Sequence, residues 1–161
     1  MKYVLRPLFI LVFTLAGICL GHADPAGHDI SRRVNLDEKQ GGQMEQHLKV
    51  VFHLDWEQEE RLLMALENTK NLFREIPAQQ CSVRIVANGK AVNLLRKDRS
   101  MKYAGEMEDL HKLGVRFKAC RNAMVKNNIQ NTDLLEICDV VPAGILELIN
   151  LQHQGFAYIK P

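Results

Sequence analysis

Residues 48–161 alternate between two hydrophobic periods, and this alternation restricts the fold more than any other feature of the sequence. Short apolar runs with a period of two change places with longer stretches whose apolar residues recur every three or four positions. Residues 48–54 read as a first strand. A helix follows over about residues 58–76, with Leu62, Leu63, Leu66, Thr69 and Phe73 on one face, and Pro77 stops it. Residues 82–87 form a second strand ended by Asn88-Gly89. Residues 91–95 start a second helix, Tyr103, Met107 and Leu110 continue the helical spacing, and Gly114 is the natural C-cap. Residues 115–120 are the third strand, followed by another helix and a turn near residues 133–135. Val140-Val141 supplies a fourth strand; Ile145, Leu148, Ile149 and Gln152 mark a last helix capped by Gly155; residues 156–159 close the domain as a fifth strand. Strand and helix alternating through one domain require a mainly parallel sheet with helices on both faces. Ligands of such sheets bind beyond the carboxyl ends of the strands. Asp55-Trp56, Asn88-Gly89-Lys90, Cys120-Arg121-Asn122 and Pro142-Ala143-Gly144 are therefore expected to converge on one rim, where Gly89 and Gly144 permit close backbone approach and Pro142 sets a rigid turn.

The domain does not account for the whole chain of 161 residues. Residues 1–23 have the form of an export signal: Lys2 and Arg6 make a basic start, residues 8–20 are almost unbroken apolar, and Gly21-His22-Ala23 offers small residues for cleavage before Asp24. The apolar run is too short to span a bilayer comfortably. A periplasmic or secreted protein with no stable membrane anchor after signal removal is expected. Residues 24–47 are polar, carry Gly27, Gly41 and Gly42, and read as a flexible leader with room for a short helix near Met44. The formal charge of +2 belongs to Lys2 and Arg6; without them 19 basic residues face 19 acidic ones, so a long-range field for nucleic acid has no support.

Export leaves Cys81, Cys120 and Cys138, an odd number in a compartment that oxidises thiols. Cys81 and Cys138 begin strand-like runs whereas Cys120 ends one. In a parallel sheet this sets Cys120 about 15–20 Å from the others, at about 3.3 Å per residue, beyond the reach of a disulfide. Cys120 is the expected unpaired thiol, and Cys81 and Cys138 are structural. In residues 114–122 (GVRFKACRN) the period of two puts Cys120 on the strand face of Arg116 and Lys118. The alternation then ceases, and residues 121–125 read as the first turn of a helix, whose free N–H groups and dipole favour an anion. With Lys118 and Arg121 close by, that setting favours a reactive thiolate. The competing reading is a small buried hydrophobe closing a strand. Arg116 and Lys118 on one strand face also suggest incomplete helix cover, hence a subunit contact near the thiol.

Taken together, residues 49–54 (KVVFHL), 86–89 (VANG), 114–122, 141–144 (VPAG) and 155–161 (GFAYIKP) resemble the DsrE/DsrF-like family of sulfur-relay proteins. The resemblance spans about residues 48–161. It implies an α/β fold, a three-layer α/β/α sandwich around a five-stranded sheet, assembly into homo-oligomers or hetero-oligomers, and a cysteine at the position of Cys120 that carries sulfur as a persulfide. Arg121 and Asn122 would then stabilise the sulfur anion, and Asn88, Gly89, Pro142 and Gly144 would line the ligand rim. Relay members act in the cytosol, whereas this chain carries an export-like leader, so the usual donors and acceptors do not carry over; the thiol or persulfide partners are unspecified.

No Cys-x-x-Cys, His-Glu-x-x-His, Gly-x-Gly-x-x-Gly or phosphate-loop pattern is present, so no metal and no cofactor is expected. His53 reads as a satisfied core histidine, and His111 and His153 as exposed helix residues. The basic run 96–102 reads as a solvated loop, or as a mobile lid attracting anionic sulfur compounds. Two functions remain: a sulfur carrier or transferase using Cys120, and a non-catalytic oligomeric module of the same fold whose rim binds a small ligand or a partner.

Overall fold

The computed structural model describes residues 47–161; the expected export signal, 1–23, and the expected leader, His47 excepted, lie outside the described residues. Five parallel strands, β1 (Leu48–Leu54), β2 (Cys81–Ala87), β3 (Arg116–Cys120), β4 (Cys138–Val141) and β5 (Ala157–Ile159), stand in the order β4-β3-β2-β1-β5. Between them run α1 (Glu59–Glu75), α2 (Lys97–Lys112), α3 (Arg121–Lys126) and α4 (Gly144–His153), with 3₁₀ turns at Ala78–Gln80, Gly89–Leu95 and Asn131–Asp133.

This strand order explains where the helices go. From β1 to β4 the chain steps one way across the sheet, and right-handed crossovers put α1, α2 and α3 on a single face. The link from β4 to β5 runs back past three strands, so the same handedness sends α4 to the opposite face. The two cores match. Phe52, Leu54, Ile85 and Phe117 pack with Leu62, Leu66, Met107 and Met124 on the first face, whereas Val51 and Val86 pack with Leu148, Leu151 and Phe156 on the second. Among the described residues α4 is the only helix on that second face. Register places Val51, Arg84 and Arg116 side by side there, with Lys118 beside Asp139. Sparse helix cover was the expectation from Arg116 and Lys118, and both are half-buried. The Arg84 guanidinium lies 5.5 Å from the centre of the Phe156 ring.

Three helices end alike. Gly114 (φ +104°), Asn128 (φ +54°) and Gly155 (φ +85°) adopt left-handed backbone just past α2, α3 and α4. In each case the next N–H reaches back five residues: Val115 to Leu110 (3.1 Å), Ile129 to Met124 (2.9 Å) and Phe156 to Leu151 (3.0 Å). This is the Schellman arrangement, and each pair is buried, so the cap also turns the chain into its next packed residue. Helix α1 is tied to α2 by Tyr103 Oη donating to Glu59 (2.7 Å), by the Lys102–Glu59 pair and by Lys70–Glu106 at 2.9 Å.

The structure corrects several expectations. In α1, Leu63 is exposed and Phe73 only partly buried; Ala65 joins Leu62, Leu66 and Thr69 on the inner face. Residues 91–95 belong to a 3₁₀ turn that stops at Arg96, whose backbone is extended; α2 is a separate helix. The basic run 96–102 is therefore the start of α2 and not a loop or lid. Arg96 holds Asp98 through two 2.9 Å bonds, and the buried Ser100 hydroxyl donates to the Arg96 carbonyl. On α4, Ile145 and Ile149 face solvent while Leu148 and Leu151 are buried.

Candidate functional site

The helix after β3 leaves toward one face of the sheet and the helix after β4 toward the other, which opens a crevice between the carboxyl ends of these two strands. Such switch points are where open α/β sheets bind ligands. Cys120 stands there, paired in register with Val141 and serving as the N-cap residue of α3. Gly144 opens α4 opposite it. A Cβ built on Gly144 would lie 3.2 Å from the Cys120 Cβ and 2.9 Å from the Asn88 Cβ, so the third strand end closes on the same point. Asn88 extends the β1–β2 ladder by donating its N–H to the Leu54 carbonyl (2.9 Å). Gly89 then turns with φ +54°, close enough to β1 that an added Cβ would meet the Asp55 carbonyl oxygen at 2.6 Å.

The result is a cleft of about 360 Å³ lined by Asn88, Gly89, Cys120, Asn122, Ala123, Lys126, Asn127, Ala143, Gly144 and Ile145. Asn127 fastens it: its Nδ2 donates to the Ala123 carbonyl (2.7 Å) within α3 and to the Gly89 carbonyl (3.3 Å) across the gap. Cys120 is only 5% exposed, so whatever meets its sulfur arrives through the cleft.

Cys120, Asn122, Asn88, Gly89 and Gly144 thus come together, and two other candidates do not. Arg121 lines a neighbouring hollow of about 550 Å³ with Met124, Ile129 and Gln130, while Pro142 is exposed and outside the cleft lining. Lys118 is engaged with Asp139 (2.9 Å) and does not line the cleft. The cation that does is Lys126, which sequence reasoning passed over together with Asn127. Helical spacing carried the signal, because residues 122, 123, 126 and 127 share one face of a helix that begins at Cys120. Asp55, Trp56, Gly89 and Lys90 line a separate hollow of about 340 Å³, so the rim divides in two at Gly89.

His53 is satisfied but not in the main core. It is half-buried on the α4 face, with Nδ1 2.7 Å from the Tyr158 hydroxyl and Nε2 3.1 Å from Asn88 Oδ1. Burial holds its pKa below the ordinary range over the opposing bond to Asn88, with Lys160 pushing the same way and Asp55 against.

All three described cysteines are free thiols. From the strand register Cys81 lies about 24 Å from Cys120, farther than the expected 15–20 Å, because β2 starts seven positions below the end of β3, and Cys138 about 11 Å, nearer than expected, because β4 starts only three positions below it. Burial pushes the Cys81 thiol up, and burial with the adjacent Asp139 carboxylate pushes Cys138 up to about 12. Among the described residues no group of three or more His, Cys, Asp or Glu could hold a metal ion, and no helix is long and apolar enough to cross a membrane.

A model of the DsrE/DsrF-like family matches residues 57–161. Among solved structures, a protein of unknown function from Methanobacterium thermoautotrophicum is 37% identical, with a TM-score of 0.65 over 71% of this chain and 99% of that one. A conserved protein of unknown function from Bacteroides thetaiotaomicron shares the fold at 12% identity, with a TM-score of 0.53 over 73% and 98% of the two chains. No curated protein matches.

Proposed function

The chain belongs to the DsrE/DsrF-like family, and from that premise we propose that it carries or transfers sulfane sulfur as a persulfide on Cys120, in the periplasm or after secretion. The Cys120 thiolate attacks the outer sulfur of a donor persulfide, R–S–SH. A new S–S bond forms on Cys120, the donor's S–S bond breaks, and R–S⁻ leaves with the electron pair while the transferred sulfur keeps its proton. An acceptor thiolate then attacks that outer sulfur, and Cys120 departs as the thiolate. No oxidant or reductant enters the cycle.

The observation that carries this reading is the cleft that Cys120 lines: Gly144 brings no side chain against the Cys120 Cβ, and the space beyond is one that a small donor can enter. Asn122 and Lys126 on α3 and Asn88 from β2 supply donors and a cation around an anionic sulfur. The signal-like stretch from Lys2 to Ala23 supports export. Exposed Ile145, Leu146 and Ile149 on α4, with Tyr158 and Ile159 on the edge strand β5, support assembly into homo-oligomers or hetero-oligomers.

Incubating the reduced protein with a sulfane-sulfur donor and weighing it intact tests the proposal. Wild type gains the mass of one sulfur atom and surrenders it to an added thiol, whereas Cys120→Ser gains none. The same mass gain in both proteins, or none in either, would favour the non-catalytic binding module.

A further inference from the structure

A chain of three side chains runs from the sheet edge to the cleft. Tyr158 on β5 meets His53 on β1, and His53 meets Asn88 at the end of β2. The orientation of the Asn88 amide sets the polarity of this chain. Asn88 Oδ1 only accepts, so His53 Nε2 must carry the proton that it donates. In the neutral ring Nδ1 is then an acceptor, and the Tyr158 hydroxyl must be the donor across 2.7 Å. With Oδ1 turned to His53, the amide nitrogen takes the other side. Asn88 Nδ2 lies 3.4 Å from the point where a Gly144 Cβ would stand, and the Cys120 Cβ lies 3.2 Å from that same point.

We propose that Tyr158 and His53 are positioning residues that lock the Asn88 amide with its nitrogen, not its oxygen, toward the sulfur on Cys120. The opposite imidazole tautomer would place a lone pair on Nε2, draw the Asn88 nitrogen to itself, and turn a carbonyl oxygen on the cleft, where it repels a thiolate or persulfide anion. An anion on Cys120 disfavours that arrangement: with the amide nitrogen drawn to the cleft, His53 Nε2 donates to Oδ1, and the Tyr158 hydroxyl, which can donate or accept, supplies the hydrogen that Nδ1 accepts. The charged groups around the ring are Asp55, at the end of β1, and Lys160, beyond β5; they form an ion pair with each other. The inference rests on Cys120 being the sulfur-bearing residue and adds the device that aims its donor.

The test is the rate at which a small neutral alkylating reagent modifies Cys120 at neutral pH, read by peptide mass. Tyr158→Phe keeps its ring and His53→Phe keeps an aromatic ring in place; both lose the relay and slow the reaction roughly tenfold, the worth of one oriented bond to an anion. His53→Gln restores both bonds, since its amide nitrogen donates to Asn88 and its oxygen accepts from Tyr158, and it reacts within about twofold of wild type, as expected of a group that reproduces the same donor and acceptor. A role confined to packing would not give rescue by glutamine alongside loss with phenylalanine. Equal rates in wild type, Tyr158→Phe and His53→Phe overturn the inference. If the wild type then still takes up sulfur from a donor, the carrier reading stands without it; if wild-type Cys120 neither alkylates nor takes up sulfur, both fall. Tyr158 is 40% exposed, so its loss of a hydroxyl leaves the fold intact and keeps one variant readable whatever befalls His53→Phe.

Discussion

Under native conditions at neutral pH, a pulse of alkylating reagent labels Cys120 and leaves Cys138 unmodified. The attacking species is the thiolate, and burial together with Asp139 pushes the Cys138 thiol up to about 12. Relative to an ordinary cysteine near pKa 8.5, its ionised fraction at neutral pH is smaller by on the order of a thousandfold. Cys81 is suppressed in the same direction by its burial on the face packed against α1 and α2. Cys120 differs from both because its strand end opens into a cleft with a glycine opposite and a lysine on the lining. Peptide mass mapping after a short pulse, followed by a second reagent in denaturant, reads all three positions in one sample. Cys138 labelled as fast as Cys120 would mean that the carboxyl-terminal crevice confers no distinction.

Gly89→Ala is expected to lose about 2–5 kcal/mol of stability, combining the penalty of a side chain in left-handed backbone with that of overpacking. At φ +54° the new Cβ is strained in itself, and at 2.6 Å from the Asp55 carbonyl oxygen it strikes backbone, which cannot rotate away as a side-chain tip would. Set against the 5–15 kcal/mol typical of a domain, that loss is a large share. The turn also carries Asn88, so the cleft distorts with it. Gly105 is the matched control: it sits inside α2 with nothing within 4 Å of an added Cβ. Gly105→Ala should gain roughly 0.5–1 kcal/mol by removing glycine from a helix interior. Urea unfolding of the pair therefore moves in opposite directions, with unchanged slopes. A Gly89→Ala midpoint equal to wild type would show that the turn after β2 is free to relax.

The strands were legible because a period of two survives in Leu48–Leu54 and Cys81–Ala87 even though both are central. Helix boundaries were less so. The apolar residues Ala91, Val92, Leu94 and Leu95 are buried, but they serve a 3₁₀ turn, and only the extended backbone of Arg96 separates it from α2. On α4, Ile145, Leu148, Ile149 and Gln152 carried the helical spacing, but of these only Leu148 is buried against the sheet, joined by Leu151, and Ile145 and Ile149 remain uncovered. Cys120 and Gly144 could be read from the sequence because strand ends and glycine turns are local features. Lys118 and Arg121 misled because closeness in sequence to Cys120 does not fix direction: one pairs with Asp139 and the other lines the adjoining hollow. The role of His53 depends on β5 returning beside β1, which brings in Tyr158 from 105 positions away, and no local pattern encodes that adjacency.

Peptide-level mass mapping of the protein after exposure to a sulfane donor, with reactive thiols capped so that a persulfide is preserved, locates the transferred atom directly. The account predicts one additional sulfur on the peptide containing Cys120 and none on those containing Cys81 or Cys138. Sulfur found on either of those two, or on no cysteine, would contradict it.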